Sequence, residues 1–423
     1  MTTLLRSLSA AALLSTCLLT PAFAQYDKAV DDRWIPSAEE EEAIRASMER
    51  HKVPGVGMAI IRDGKVVWNA SYGVTNIETG QKVDDDTLFQ GASLTKPAFA
   101  YVVMKLVEEG KLSLDDKLAD YLYPEQYPDD PKFRKMTVEH VLEHHTGMPN
   151  WRDRDDAEGT SLIPEAEPGT EASYSGEAFM WLMEVVELIE DKGIAEIMQE
   201  RLFEPAKLSD TYLLWTPEND EREVWGHEID EEGNLNLQRA HYARRVGSPL
   251  YELAERWDRP VDSWNGMEMR AALRTMDRSG DEGLQGIPLY QLTSASYHLF
   301  DNVSSIRTTP SDFAKFLTLM MDDKRRKRWE ISNATREDML TPQYERTFSS
   351  ENLPQGIGWG IERRAEGNYF YHGGNNNNTY VSLALGANDG SHGMVIMTNG
   401  PEGWSVIEDV TKLLAGVEFD CVY

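Results

Sequence analysis

The chain has 423 residues, enough to bury a large core, and 41% of them are hydrophobic, as in an ordinary globular protein. Its charge is lopsided: 72 acidic against 42 basic residues leave a net charge of −30, which argues against nucleic-acid binding and against docking on anionic lipid. Two cysteines, Cys17 and Cys421, are too few for a disulfide framework or a thiolate metal centre.

Residues 1–24 carry an early Arg6, an apolar stretch through Leu19, and Ala22-Phe23-Ala24 before Gln25. This pattern predicts a cleaved signal peptide and a periplasmic or secreted protein. A lipid anchor at Cys17 fits less well, because Thr16 precedes the cysteine and apolar residues continue past it. The apolar stretch is too short to span a bilayer, and no other segment reads as a spanning helix. Ser37 with Glu40 forms a capping box for an acidic helix running to about Arg50, broken by Pro54-Gly55. Val56–Ile61 and Val66–Tyr72 flank the turn residues Arg62-Asp63-Gly64-Lys65, the pattern of a β-hairpin.

Phe99, Val102, Val103, Leu106 and Val107 follow helical spacing up to Gly110, which places Ser93 at the mouth of a helix. Lys96 follows three residues later, so its amine shares a helix face with the Ser93 hydroxyl. A serine becomes nucleophilic when a neighbouring base takes its proton, and a lysine serves as that base when burial or positive potential lowers its pKa. The same S-x-x-K spacing also suits a serine cap followed by a solvated lysine.

Thr137–His145 reads as a second helix closed by Thr146-Gly147. Within it, His140-Val141-Leu142-Glu143-His144 matches the H-x-x-E-H pattern of inverted zinc peptidases. No downstream third ligand is marked, and histidines that hold a helix end and its turn by hydrogen bonds are the preferred reading of the pattern. The acidic stretch from Trp151 to Thr170 lacks periodicity and predicts a surface loop. Ser173-Tyr174-Ser175-Gly176 precedes the apolar helical run Phe179–Ile189, which sets Tyr174 at another helix mouth. Ile194–Phe203 continues as a shorter amphipathic helix, stopped by Pro205.

Residues 213–302 are the least patterned and rich in tryptophan, and they read as an insertion or lid. Thr309-Pro310-Ser311-Asp312 starts a helix through Met321, and 322–328 is a basic run. Ile357–Arg363, Asn368–His372, Tyr380–Leu385 and Gly393–Met397 alternate with Gly, Asn and Asp turns, as in an antiparallel meander. His372-Gly373-Gly374 falls at an edge or turn of one of these strands, where glycine lets a ligand approach the backbone. Ser405–Ala415 closes the chain as a short helix.

Taken in order, VPGVGMAIIRDGKVVW, TLFQGASLTKPAFA with LVEEGKLSLDD, TVEHVLEHHTGMP, PGTEASYSG, RTTPSDFAKFL, and GIGWGIE with YHGG resemble the serine β-lactamase and penicillin-binding-protein superfamily, in its class C β-lactamase-like group of serine hydrolases. The resemblance implies an α/β fold of the α+β type, an antiparallel sheet flanked by helices plus a helical subdomain, with residues 25–423 as one catalytic domain. It implies that Ser93 is acylated, that Lys96 accepts its proton, and that Tyr174 shares in proton transfer. His372, Gly373 and Gly374 take the place of a Lys-Thr-Gly strand motif, and the amides of Ser93 and Asn375 would form the oxyanion hole. It implies no metal and no organic cofactor, and a small-molecule or peptide-like acyl substrate. Oligomeric state stays open.

Three departures bear on the substrate. Gly176 stands where the family often has asparagine, the usual Gly-Gly-Leu ahead of the late helix is absent, and His372 lacks a lysine's permanent charge. They favour an esterase over an efficient β-lactamase. A D-amino-acid-specific peptidase or D,D-carboxypeptidase-like enzyme is the nearest alternative, and a non-catalytic peptide-binding descendant of the fold is another.

Overall fold

The structure, a computed structural model, describes residues 34–124, 127–153, 156, 160–238, 242–279, 305–321, 327–348, 351–416 and 418–419. The expected signal peptide, both cysteines, residues 280–304 of the insertion and most of the basic run at 322–326 lie outside them.

Local signals set the first elements. Ser37 and Glu40 close a reciprocal capping box ahead of α1 (Ala38–Arg50). Asp63 and Gly64, both at positive φ, turn β1 (Gly55–Arg62) into β2 (Lys65–Gly73). β3 (Phe89–Ala92) leads into α2 (Thr95–Glu108), which is buried from Thr95 through Met104. A helix that is apolar nearly all round belongs inside a core, and this is what takes Lys96 out of water.

Short helices α3 (Leu118–Tyr121) and α4 (Val138–Leu142) precede the apolar α5 (Gly176–Glu190). α6 (Ile194–Met198) runs into a π-helical turn over Gln199–Phe203 and then α7 (Glu204–Ala206), so Pro205 lies inside the last turn and Lys207, at φ 57°, ends it. The insertion holds a two-stranded ribbon, β5 (His227–Ile229) with β6 (Leu235–Leu237), and two helices, α8 (Tyr242–Trp257) and α9 (Gly266–Ser279). It is therefore more regular than its sequence reading.

Strands β4 (Thr211–Tyr212) and β7 (Ile306–Thr308) flank each other beside β3 in a small sheet of order β3-β7-β4. Then come α10 (Pro310–Met320), capped by Thr309 as expected, and α11 (Asn333–Leu340), which the sequence reading did not contain. Strands β8 (Tyr344–Phe348), β9 (Glu351–Gln355), β10 (Gly360–Arg364), β11 (Gly367–Asn376), β12 (Tyr380–Ala387) and β13 (His392–Thr398) follow, and α12 (Gly403–Ala415) ends the described fold.

The main sheet is antiparallel throughout, in the order β2-β1-β13-β12-β11-β10-β9-β8. Side chains alternate between its faces. Val56, Met58, Ile60, Leu383, Leu385 and Ile396 pack with Ile407 and Val410 of α12 and Ile44 of α1, whereas Ala59, Ala384, Val395 and Phe370 join the larger core with α2, α5 and α10. Each fully buried Val, Leu, Ile or Phe there contributes roughly 1.5–3 kcal/mol of transfer free energy. His372 and Gly374 share the parity of Phe370, so β11 aims them at the helical side.

Several contacts hold the insertion, among them Gln90 Nε2 donating to Glu223 Oε1 at 2.8 Å and His227 Nδ1 donating to Asn399 O at 2.9 Å. Glu187 of α5 accepts from Ile194 N at 3.0 Å and from Gly266 N, at the start of α9, at 2.8 Å. After β6, Gln238 Nε2 donates to Thr379 Oγ1 at 3.1 Å, beside the β11–β12 turn. No helix among the described residues is long and apolar enough to cross a membrane.

Candidate active site

Ser93 occupies the joint between β3 and α2. Ala92 takes φ 48°, a left-handed conformation that costs a non-glycine residue about 1 kcal/mol or more, and the chain turns sharply there. The joint is tied on three sides. Thr95 Oγ1 donates to Ala92 O at 2.7 Å and accepts from Ile306 N of β7 at 3.0 Å, while Ser382 Oγ of β12 donates to Gly91 O at 2.8 Å. The hydroxyl of Ser93 is thus presented by rigid elements rather than by a loop.

Lys96 is 0% exposed, and its Nζ lies 3.0 Å from Ser93 Oγ. Around that amine stand the rings of Tyr174, Trp151 and Phe179, with centroids 4.9, 5.9 and 5.9 Å away. Aromatic faces favour the cation, but loss of water favours the free amine more, and burial pushes the Lys96 pKa down to about 7. A lysine of that kind is half neutral near physiological pH and has an unshared pair to offer the serine proton.

Tyr174 immediately precedes Ser175, the cap of α5, whose Oγ accepts from Ala178 N at 3.0 Å and donates to Pro149 O at 2.8 Å. The Tyr174 ring stacks on His144 at 4.1 Å and lies 6.3 Å from the His372 ring. His144 Nδ1 in turn accepts from Ser175 N at 3.2 Å. His372 is buried, and its Nδ1 donates to Gly373 O at 2.7 Å. Ser93, Lys96, Tyr174 and His372 therefore share one neighbourhood.

The expected helix over Thr137–His145 is shorter than its sequence suggested. It stops at Leu142 because His144 adopts φ 57°, and that twist is what carries the imidazole over Tyr174. His140 instead closes a capping box: its Nδ1 accepts from Thr137 N at 3.3 Å and Thr137 Oγ1 accepts from His140 N at 3.2 Å. Glu143, the central residue of the H-x-x-E-H match, is fully buried, and burial pushes its carboxyl up to about 8. The two histidines thus serve different neighbours. Among the described residues, no three His, Cys, Asp or Glu side chains stand together where they would hold a metal ion.

Gly374 brings β11 against the serine joint. A Cβ there would lie 2.2 Å from Gly91 O, 2.3 Å from Ser382 Oγ and 3.2 Å from Ala92 Cβ, so the position has no room for one. Pairing of β11 with β10 ends at Tyr371, whereas pairing with β12 continues to Asn376. The outer edge of residues 372–376 is therefore left open by β10, next to Ser93. The Asn375 side chain serves the turn, with Oδ1 accepting from Asn378 N at 2.7 Å, which leaves the backbone as its contribution to the site. Gly374→Ala is expected to push β11 off the joint, at a cost of about 1–3 kcal/mol in urea unfolding. Unfolding unchanged from the parent would show that the contact is not tight.

Trp151 was missed by the sequence reading, which placed it in a surface loop. It is 40% exposed yet lies across the helix mouth. A Cβ at Gly176 would come within 2.3 Å of its ring, so glycine at 176 is the sequence signal that makes room for the indole. The same loop also buries Arg152 and Leu162, so it is anchored rather than peripheral. A separate cavity of about 780 Å³, bounded by Tyr212, Leu214, Tyr251, Ala254, Pro260 and Val261, is lined by none of Ser93, Lys96, Tyr174 or His372.

The chain is similar to penicillin-binding protein 4 of Amycolatopsis lactamdurans, 29% identical over 185 residues that make up 41% of this chain and 48% of that protein. It is also similar to esterase EstB of Burkholderia gladioli, 35% identical over 109 residues, 25% of this chain and 27% of that protein. These matches span less than half the length of either relative. The fold is that of the octameric penicillin-binding protein homologue from Pyrococcus abyssi, with a TM-score of 0.64 at 20% identity, covering 89% of this chain and 77% of that one. The Beta-lactamase family model matches residues 41–417. With an antiparallel sheet carrying helices on both faces and a Ser-x-x-Lys pair at its centre, the chain belongs to that family, within the serine β-lactamase and penicillin-binding-protein superfamily.

Proposed function

We propose that this chain is a serine hydrolase that forms an acyl-enzyme on Ser93 and acts on carboxylic esters. The observation that carries the reading is the fully buried Lys96 amine at 3.0 Å from the Ser93 hydroxyl. Neutral Lys96 takes the Oγ proton as Oγ attacks the ester carbonyl carbon. The resulting oxyanion is held by the backbone amides of Ser93 and Asn375. Collapse expels the alcohol, protonated by the Lys96 and Tyr174 pair, and leaves an ester on Ser93. Water then attacks that ester and gives its proton back through the same pair. This releases the carboxylic acid and restores the serine.

The choice of ester over amide rests on the wall of the site. Where a side-chain amide would hold a substrate amide, position 176 has no side chain and the Trp151 ring fills the space. An amide substrate would leave its N–H without a partner there, at a cost of roughly 1–3 kcal/mol. A small acyl ester and the matching primary amide should therefore differ in kcat/KM, in favour of the ester, by roughly five- to a hundredfold beyond the difference in their uncatalysed rates. A corrected ratio of one or less, or faster cleavage of the amide, would move the reading to an amidase or peptidase.

A further inference from the structure

We infer that Trp151 is the substrate-selecting wall of this site and that it receives a flat, aryl-bearing acyl group; this rests on the acyl-enzyme reading above. A large apolar side chain that stays 40% exposed normally needs no explanation, but this one is held in place. On its N-terminal side, Asn150 O accepts from Gly176 N at 3.0 Å and from Glu177 N at 3.1 Å, and Asn150 Oδ1 accepts from Gly176 N at 2.9 Å. On its C-terminal side, Arg152 N donates to Glu177 Oε1 at 3.4 Å. Both neighbours of the indole are thus fastened to the first turn of α5, the helix whose mouth carries Tyr174.

The indole is also placed with respect to the chemistry. Its ring centroid lies 5.9 Å from Lys96 Nζ. The atoms Cη2, Cζ2 and Cζ3 would stand 2.3, 2.5 and 2.7 Å from any Cβ at 176. Those are ring atoms on a tethered loop, so a side chain at 176 and the indole in this position exclude each other. The wall next to the lysine is consequently an aromatic face with no hydrogen-bonding group at 176. Such a face recognises a substrate by area and stacking, which a second flat ring supplies and a bare methyl does not.

The test uses Ser93→Ala protein, which holds a substrate without turning it over. Dissociation constants of methyl phenylacetate and methyl acetate are measured by ligand-observed NMR titration, with circular dichroism as the check on folding. The aryl ester is expected to bind at least tenfold more tightly. Adding Trp151→Ala should cut that preference to about a third or less, and Trp151→Phe should restore most of it. Gly176→Ala, whose Cβ displaces the ring, should reduce it independently of any change at 151, and so serves if Trp151→Ala does not fold. A preference that survives Trp151→Ala and Gly176→Ala in folded protein overturns the proposal, as does the absence of any preference in the Ser93→Ala parent. The acyl-enzyme reading fails on a different readout, the lack of a covalent adduct on Ser93 in the unmutated protein, so the two failures are distinguishable.

Discussion

Ser93→Ala is expected to lower kcat/KM for ester hydrolysis on the order of ten-thousand-fold or more while leaving the fold intact. The size follows from what the hydroxyl does: without it no ester bond to the enzyme forms, and only the residual help of the oxyanion site and of binding remains. The fold should tolerate the change, because the joint at Ser93 is held by Thr95, Ser382 and Gly374 rather than by the hydroxyl. Steady-state kinetics and urea unfolding on the same preparation check both halves. A loss below about tenfold in folded protein would remove Ser93 from the chemistry.

Lys96 supplies the second large effect. Its amine must be neutral to accept a proton, and burial sets its pKa near 7. Below that pH the lysine is protonated, so kcat/KM should fall about tenfold for each pH unit, and above it the rate should level off. Lys96→Arg keeps a cation next to Ser93 but never yields a neutral base in this range. That change should lower kcat about a hundred- to ten-thousand-fold and abolish the acidic limb. An acidic limb unchanged in Lys96→Arg would assign the titration to another group, and undiminished turnover would exclude Lys96 as the base. The three rings around the amine make it a poor site for arginine's larger fork, so circular dichroism accompanies the assay.

Much of this site could be read from local pattern. The Ser37 capping box, the Asp63-Gly64 hairpin, the α2 periodicity behind Ser93, the Ser175-capped helix after Tyr174 and the late meander all depend on residues a few positions apart, which is the range over which sequence pattern is informative. α8 and α9 were overlooked although Leu250, Leu253 and Ala254, and Met269, Ala272, Leu273 and Met276, are buried at helical spacing. Pro249 inside α8 reads as a helix breaker, whereas the period of α9 carries no such interruption. The end of α4 was misplaced for a different reason. His144 is an ordinary helix residue by composition, and its left-handed backbone goes with partners distant in sequence: its ring stacks on Tyr174, its Nδ1 accepts from Ser175 N and its O accepts from Ser173 N. Trp151 was out of reach altogether, because its role depends on a glycine 25 positions away that is visible as a departure but not as a contact.

The most direct measurement is intact-protein mass spectrometry after exposure to a fluorophosphonate, comparing the unmutated protein with Ser93→Ala. A neutral lysine beside an accessible serine predicts one adduct per chain, mapped to Ser93 by peptide digestion and absent from the variant. No adduct in folded protein, or an equal adduct in Ser93→Ala, would contradict the account that Ser93 and Lys96 form an activated nucleophile.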